Sequence, residues 1–82
     1  LRNSPAAQYS RGKALMKAKE HDEALKMLQT AAESKHPLAA EAIGDAMAHG
    51  LGTEDGQIDM EQAGLWYQLA VLYTKELSTA QA

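Results

Sequence analysis

Three glycines and three acidic side chains crowd into residues 48–59, AHGLGTEDGQID, a composition that suits two kinds of binding chemistry. The first is a phosphate cradle. Gly50-Leu51-Gly52-Thr53-Glu54-Asp55-Gly56 loosely follows G-x-G-x(3)-G. Such a cradle needs amide donors, usually a lysine, and a helix N-terminus that follows a strand. No strand pattern precedes this loop, and Glu54 and Asp55 would repel a phosphate. The second is a calcium site built on Glu54, Asp55 and Asp59, hard oxygen donors beside a glycine turn. The alternating acids and terminal glutamate of an EF-hand loop are missing, however. The residues favour a connection of unusual shape: Gly50 ends a helix, Gly52 accepts a positive φ, and the polar side chains let the chain wrap back.

Other reactive residue types lead to the same place. His21, His36 and His49 stand in a turn or at helix ends, and none pairs at i, i+4 with another histidine, so they read as scattered surface residues. Ser4, Ser10, Ser34 and Ser78 lack the glycine elbow of a serine nucleophile. Glu20, Asp22 and Glu23 read as helix-start charges favourable to the dipole. There is no cysteine, which excludes disulfides, thiolate metal sites and cysteine nucleophiles. Trp66 and Tyr67 read as core residues rather than a ligand-stacking pair. The expectation is a protein with no catalytic residues, no metal and no cofactor, hence not an enzyme.

Net charge is −3, against the basic footprint of nucleic-acid binding. The distribution is more telling. Residues 1–35 hold seven of the eight lysines and arginines against four acids, giving +3; residues 36–82 hold Lys75 against seven acids, giving −6. Such polarity suits docking with a charged partner or head-to-tail contact with a second copy. No apolar run approaches the roughly 18 residues of a membrane span, so no membrane insertion is expected. The chain opens on Leu1 rather than methionine, as a segment of a longer protein would.

The elements that carry these residues are helical. Phenylalanine is absent, and Ile43, Ile58 and Val71 are the sole β-branched apolar residues in an alanine-rich chain. That composition favours closely packed helices and disfavours strands. At 82 residues, core burial is only marginally sufficient. A first helix is predicted over about 5–18, with Ser4 as N-cap and Pro5 at its first position. Asp22 is the expected cap of a second, running to about Ser34 with Ala24, Met27, Leu28 and Ala31 on one face. A third spans Pro37 to about His49. A fourth follows Asp59 and reaches about Leu77 or beyond.

The four helices form two copies of one pattern. A shift of 32 places lays Pro5 on Pro37, Ala7 on Ala39, Gly12 on Gly44, Ala14 on Ala46 and Leu15 on Met47. A shift of 39 lays Ala24 on Ala63, Met27 on Trp66, Leu28 on Tyr67, Gln29 on Gln68 and Ala31 on Ala70. Two helical hairpins share a template, and the second has a connection seven residues longer (39 − 32), the stretch quoted above. Glycine inside a helix costs about 1 kcal/mol relative to alanine. Its presence at Gly12 and at Gly44 therefore points to a close helix crossing in each hairpin.

The second hairpin resembles the Sel1-like repeats, relatives of the tetratricopeptide repeats, whose pattern is A-x(3)-L-G-x(2)-Y-x(2)-G-x-G-V, a polar linker with Asp, then A-x(2)-W-Y-x(2)-A-A. Matching residues are Ala39 or Ala40, Ile43-Gly44, Gly50-x-Gly52, Asp59, Ala63, Trp66-Tyr67 and Ala70. Met47 stands at the tyrosine, Thr53 at the valine, Val71 at the second alanine, and the linker is longer. The first hairpin keeps Ala7, Gly12, Ala24, Ala31 and Ala32, with Arg11 at the leucine and neither the G-x-G turn nor the W-Y pair. Its compact KAKEHDEALKML is closer to a tetratricopeptide hairpin.

The resemblance implies an all-α fold of two stacked antiparallel hairpins. Repeats would cover about 5–36 and 37–73, with 74–82 as a helix extension or the start of a further repeat. It also implies an adaptor that presents a helical groove to a protein or peptide. The groove residues would be Tyr9, Lys13, Met16 and Lys17 from the first helix and Glu41, Asp45 and His49 from the third. A separate stripe, Leu65, Leu69 and Leu72, lies at i, i+4, i+7 on the fourth helix. It would pack on a further repeat or on the first hairpin, or serve as a self-association face of a structural spacer. The family is common in bacterial cytoplasmic and exported proteins, so cytoplasm and periplasm both fit.

Overall fold

A computed structural model describes residues 4–81 of the chain. The order is α1 (Pro5–Lys17), α2 (His21–Glu33), α3 (Pro37–His49), a single 3₁₀ turn (Glu54–Gly56) and α4 (Met60–Gln81), with no strand among the described residues. The fold is all-α: α1 pairs with α2, α3 with α4, and α2 packs on α3 to join the two hairpins. The result is a slab of 43 × 30 × 15 Å.

Local chemistry places the helix ends. Ser4 Oγ accepts from the Ala7 amide at 3.1 Å, and Pro5 supplies the first residue of α1. Helix α1 closes by a pair of bonds, Lys19 N–H to Met16 C=O (3.0 Å) and Glu20 N–H to Leu15 C=O (2.9 Å), which requires Lys19 to take a left-handed φ of 65°. Lys35 (φ 63°) and Gly50 (φ 68°) play the same part for α2 and α3. The expected cap Asp22 proves to lie inside the first turn of α2. The Lys19 turn brings the chain into the helix earlier, behind Glu20, whose carbonyl accepts from Ala24 N–H at 2.9 Å. Asp59 does cap α4, with its Oδ1 accepting from Gln62 N–H at 3.0 Å. Helix α4 continues past Leu77 to Gln81; position 82 of the expected extension lies outside the described residues.

The connection 50–59 is held at both ends. Asp59 N–H donates to Met47 C=O at 2.9 Å, and Thr53 Oγ1 donates to Gln57 C=O at 2.6 Å. Gly52 (φ 74°) lies against the start of α2, where a Cβ would come within 2.6 Å of Leu25 Cδ1. The loop thereby ties the second hairpin to the first. Glu54 to Gln57 are exposed.

The two hairpins repeat one crossing. A Cβ on Gly12 would lie 2.8 Å from Leu28 Cδ2 and 3.3 Å from the Ala24 carbonyl oxygen. On Gly44 it would lie 2.6 Å from Tyr67 Cε1 and 3.2 Å from the Ala63 carbonyl oxygen. Leu28 and Tyr67, like Ala24 and Ala63, are template counterparts 39 places apart. The core between hairpins is mostly alanine around two fully buried large side chains, Leu28 and Ile43. Trp66 and Met47 pack at its edge.

Gly44→Ala should destabilise the protein by about 1–3 kcal/mol, because the Tyr67 ring must move. Gly64, in α4, has nothing within 4 Å of an added Cβ. Gly64→Ala should therefore stabilise by about 0.5–1 kcal/mol through helix propensity alone. Thermal unfolding of both variants checks this; shifts of the same sign would deny Gly44 its close-approach role.

Candidate functional site

The first helices of the two hairpins stand side by side, and the shift of 32 puts Lys13 opposite in role to Asp45, Lys17 to His49 and Tyr9 to Glu41. Four of the seven expected groove residues meet in one place. Lys13, Met16, Asp45 and His49 line a cavity of about 200 Å³ whose floor includes Leu28, Ala42, Ala46 and Leu51. Lys17 borders an adjoining hollow with Lys13, Ala14 and Met16. The remaining two are placed elsewhere. The Tyr9 ring stacks on His36 at 5.0 Å with 22° between planes. Glu41 opens toward α4, in a cavity with Tyr67 and Val71.

The cleft combines an apolar floor with rims of opposite charge. Among the described residues Lys13 and Lys17 have no acidic side chain within ion-pair distance, and both are exposed. Asp45 is oriented by its neighbours: the Tyr67 hydroxyl donates to Asp45 Oδ1 at 2.6 Å. Removing that proton would lose the bond and set two anions together, so Tyr67 is pushed up from 10.0 to about 12, the hydrogen bond to Asp45 being the main cause. His49 Nδ1 sits 2.8 Å from the Asp45 carbonyl oxygen and donates to it.

Two contributions were not visible as site features in the sequence. Tyr67 reaches Asp45 across 22 residues; its counterpart in the first hairpin is Leu28, facing Lys13, so the repeat offers no sign of the bond. His36, expected among scattered surface histidines, is half-buried and caps α3, its Nδ1 accepting from Ala39 N–H at 3.2 Å. Here a signal exists: His36 is the template counterpart of the N-cap Ser4. Its capping lone pair and its partial burial, which lowers its pKa below 6.5, both favour the neutral ring. Among the described residues no cluster of three or more His, Asp or Glu side chains is arranged to hold a metal ion, and no polar side chain is buried. No helix of the described residues is long and apolar enough to cross a membrane.

Two titrations follow. Neutral His36 is the folded form, so its contribution is complete above pH 6.5 and is lost as pH falls through its lowered folded-state value. His36→Ser keeps a capping oxygen that does not titrate; the loss of stability between about pH 7 and 5 should shrink in that variant, as followed by chemical denaturation. Tyr67 should ionise near 12 in an ultraviolet titration, and Asp45→Asn should bring it back toward 10.0. An unchanged late phase in Asp45→Asn would refute the assignment.

Compared with family models, with curated proteins and with solved structures, the chain finds no match.

Proposed function

We propose that the chain is a non-enzymatic interaction module that holds an extended segment of a partner protein in the cleft between α1 and α3. The observation that carries this reading is the convergence of Lys13, Met16, Asp45 and His49, from two hairpins, over one apolar floor. An apolar floor with a few placed charges at its rim is what a peptide side chain and its flanking charges require. The non-enzymatic part rests on chemistry. The two residues with shifted pKa values, His36 and Tyr67, have those shifts explained by a helix cap and by one hydrogen bond. The Sel1-like resemblance adds support, since its small residues Gly44 and Ala63 and its Tyr67 are the ones that meet at the second crossing.

A second reading, a structural spacer that self-associates through Leu65, Leu69 and Leu72, draws on the exposure of that stripe: Leu65 and Leu72 are about half exposed on the outer side of α4.

Selection from a random dodecapeptide library tests the cleft. Enriched peptides should carry an acidic residue beside an apolar one. Lys13→Glu combined with Lys17→Glu should weaken them at least about tenfold by fluorescence anisotropy, roughly 1.4 kcal/mol, without lowering the melting temperature. Peptides that bind the variant as well as the parent would place the site elsewhere.

A further inference from the structure

The repeat template allows the exposed edge of the second hairpin to be compared with a covered one. A cavity of about 330 Å³ lies between α3 and α4, lined by Pro37, Leu38, Glu41, Tyr67, Val71 and Thr74 among others. Shifted back by 32 on α3 and by 39 on α4, these positions become Pro5, Ala6, Tyr9, Leu28, Ala32 and Lys35. That is the edge on which the second hairpin sits. Ala32 is 3 % exposed and belongs to one buried cluster with Ala39, Ala42 and Ile43, whereas its counterpart Val71 is 58 % exposed. Leu38 beside it is also half exposed. The α3–α4 edge is therefore the hairpin-accepting surface of the template, exposed among the described residues.

We propose that this edge accepts the α1 face of a second copy of the chain, head to tail. Three observations choose that occupant. First, the established α2–α3 contact is continued: the α3 residues that dock on the first hairpin, Ala39, Ala42 and Ala46, have as counterparts on α1 Ala7, Ser10 and Ala14, all small and the latter two exposed. Small side chains on the docking helix permit the same close approach. Second, the charges match. The docking hairpin belongs to the half with net +3 and the accepting hairpin to the half with net −6. Arg11, exposed, stands where the α3 docking face has Ile43, so a copy brings a cation to an edge where Glu41 is its acidic partner and Lys75 is the one base among the lining residues. Third, a tight turn of the same chain does not deliver the occupant. Helix α2 ends at Glu33, and the Ser34–His36 turn lays α3 on it. The counterpart of Glu33 is Leu72, yet α4 runs on as helix to Gln81, nine residues or ~13 Å further.

The contact uses different surfaces on its two sides, so it does not close at two chains. It leaves the Leu65–Leu72 stripe free, while its docking face borders the hollow beside the cleft through Ala14; peptide selection reads the cleft and sedimentation reads this contact, so the two proposals fail separately.

Two blocked variants test it by sedimentation velocity. Val71→Lys blocks the accepting edge by setting a like charge against the incoming Arg11, and Ser10→Glu blocks the docking face; both positions are exposed, and circular dichroism confirms that each variant is folded. The parent chain should show a mass that rises with concentration past twice 8.8 kDa and falls with added salt. Each variant alone should stay at one chain. Mixed, they should form a 1:1 complex, because each supplies the face the other lacks. A parent that stays monomeric, variants that still associate alone, or a mixture that forms no complex would each overturn the proposal.

Discussion

Everything in this fold turns on how closely the two helices of each hairpin approach. Gly12 and Gly44 offer no Cβ, and the space is taken by Leu28 in one hairpin and by the Tyr67 ring in the other. The backbone carbonyls of Ala24 and Ala63 complete the contact. A helix accepts the intrinsic cost of an internal glycine, about 1 kcal/mol, where the gain in packing exceeds it. With the crossing set there, the rotation of α1 and α3 about their axes is set as well. That rotation decides which side chains reach the cleft.

The close crossings suit an interior built mainly from alanine. Leu28 and Ile43 are the two large side chains fully enclosed, and the slab is only 15 Å thick in its least dimension. Little apolar area is available to hold such a structure, so the turns matter more than in a larger domain. Paired backbone bonds close α1, α2 and α3, at the expense of left-handed conformations at Lys19 and Lys35 where glycine would be easier. Gly52 carries the loop into contact with Leu25 and joins the hairpins a second time, beyond the α2–α3 packing.

A thin two-hairpin slab leaves much of its surface open, and its surfaces differ in chemistry. Between α1 and α3 the rim charges are opposite and the floor is apolar. Along α4 the outer stripe is aliphatic, while the α3–α4 edge mixes Leu38 and Val71 with Glu41. The two hairpins therefore leave a charged cleft where α1 and α3 meet and a partly apolar edge between α3 and α4. Substitutions at equivalent places produce the difference: Tyr9 against Glu41, Lys13 against Asp45, Ala32 against Val71.

Much of the fold was legible because it depends on neighbours within a turn or two. Ser4 and Asp59 as caps, Pro5 and Pro37 as helix starts, and Gly50 as a stop act over three or four residues, and each does so in the structure. The pairing of Gly12 with Gly44 was legible through repetition, which reports a packing constraint without its geometry. The departures have local causes too: α2 starts before Asp22 because Lys19 turns left-handed, and His36 caps α3 because a neutral imidazole nitrogen can replace a serine oxygen. What the sequence determined by itself was helical class, the breaks between helices and their pairing as two hairpins. The Tyr67–Asp45 bond, the stacking of Tyr9 on His36 and the turn of Glu41 toward α4 were decided by the tertiary structure. They depend on the angle and depth at which separate helices cross, and no spacing along one chain encodes these directly.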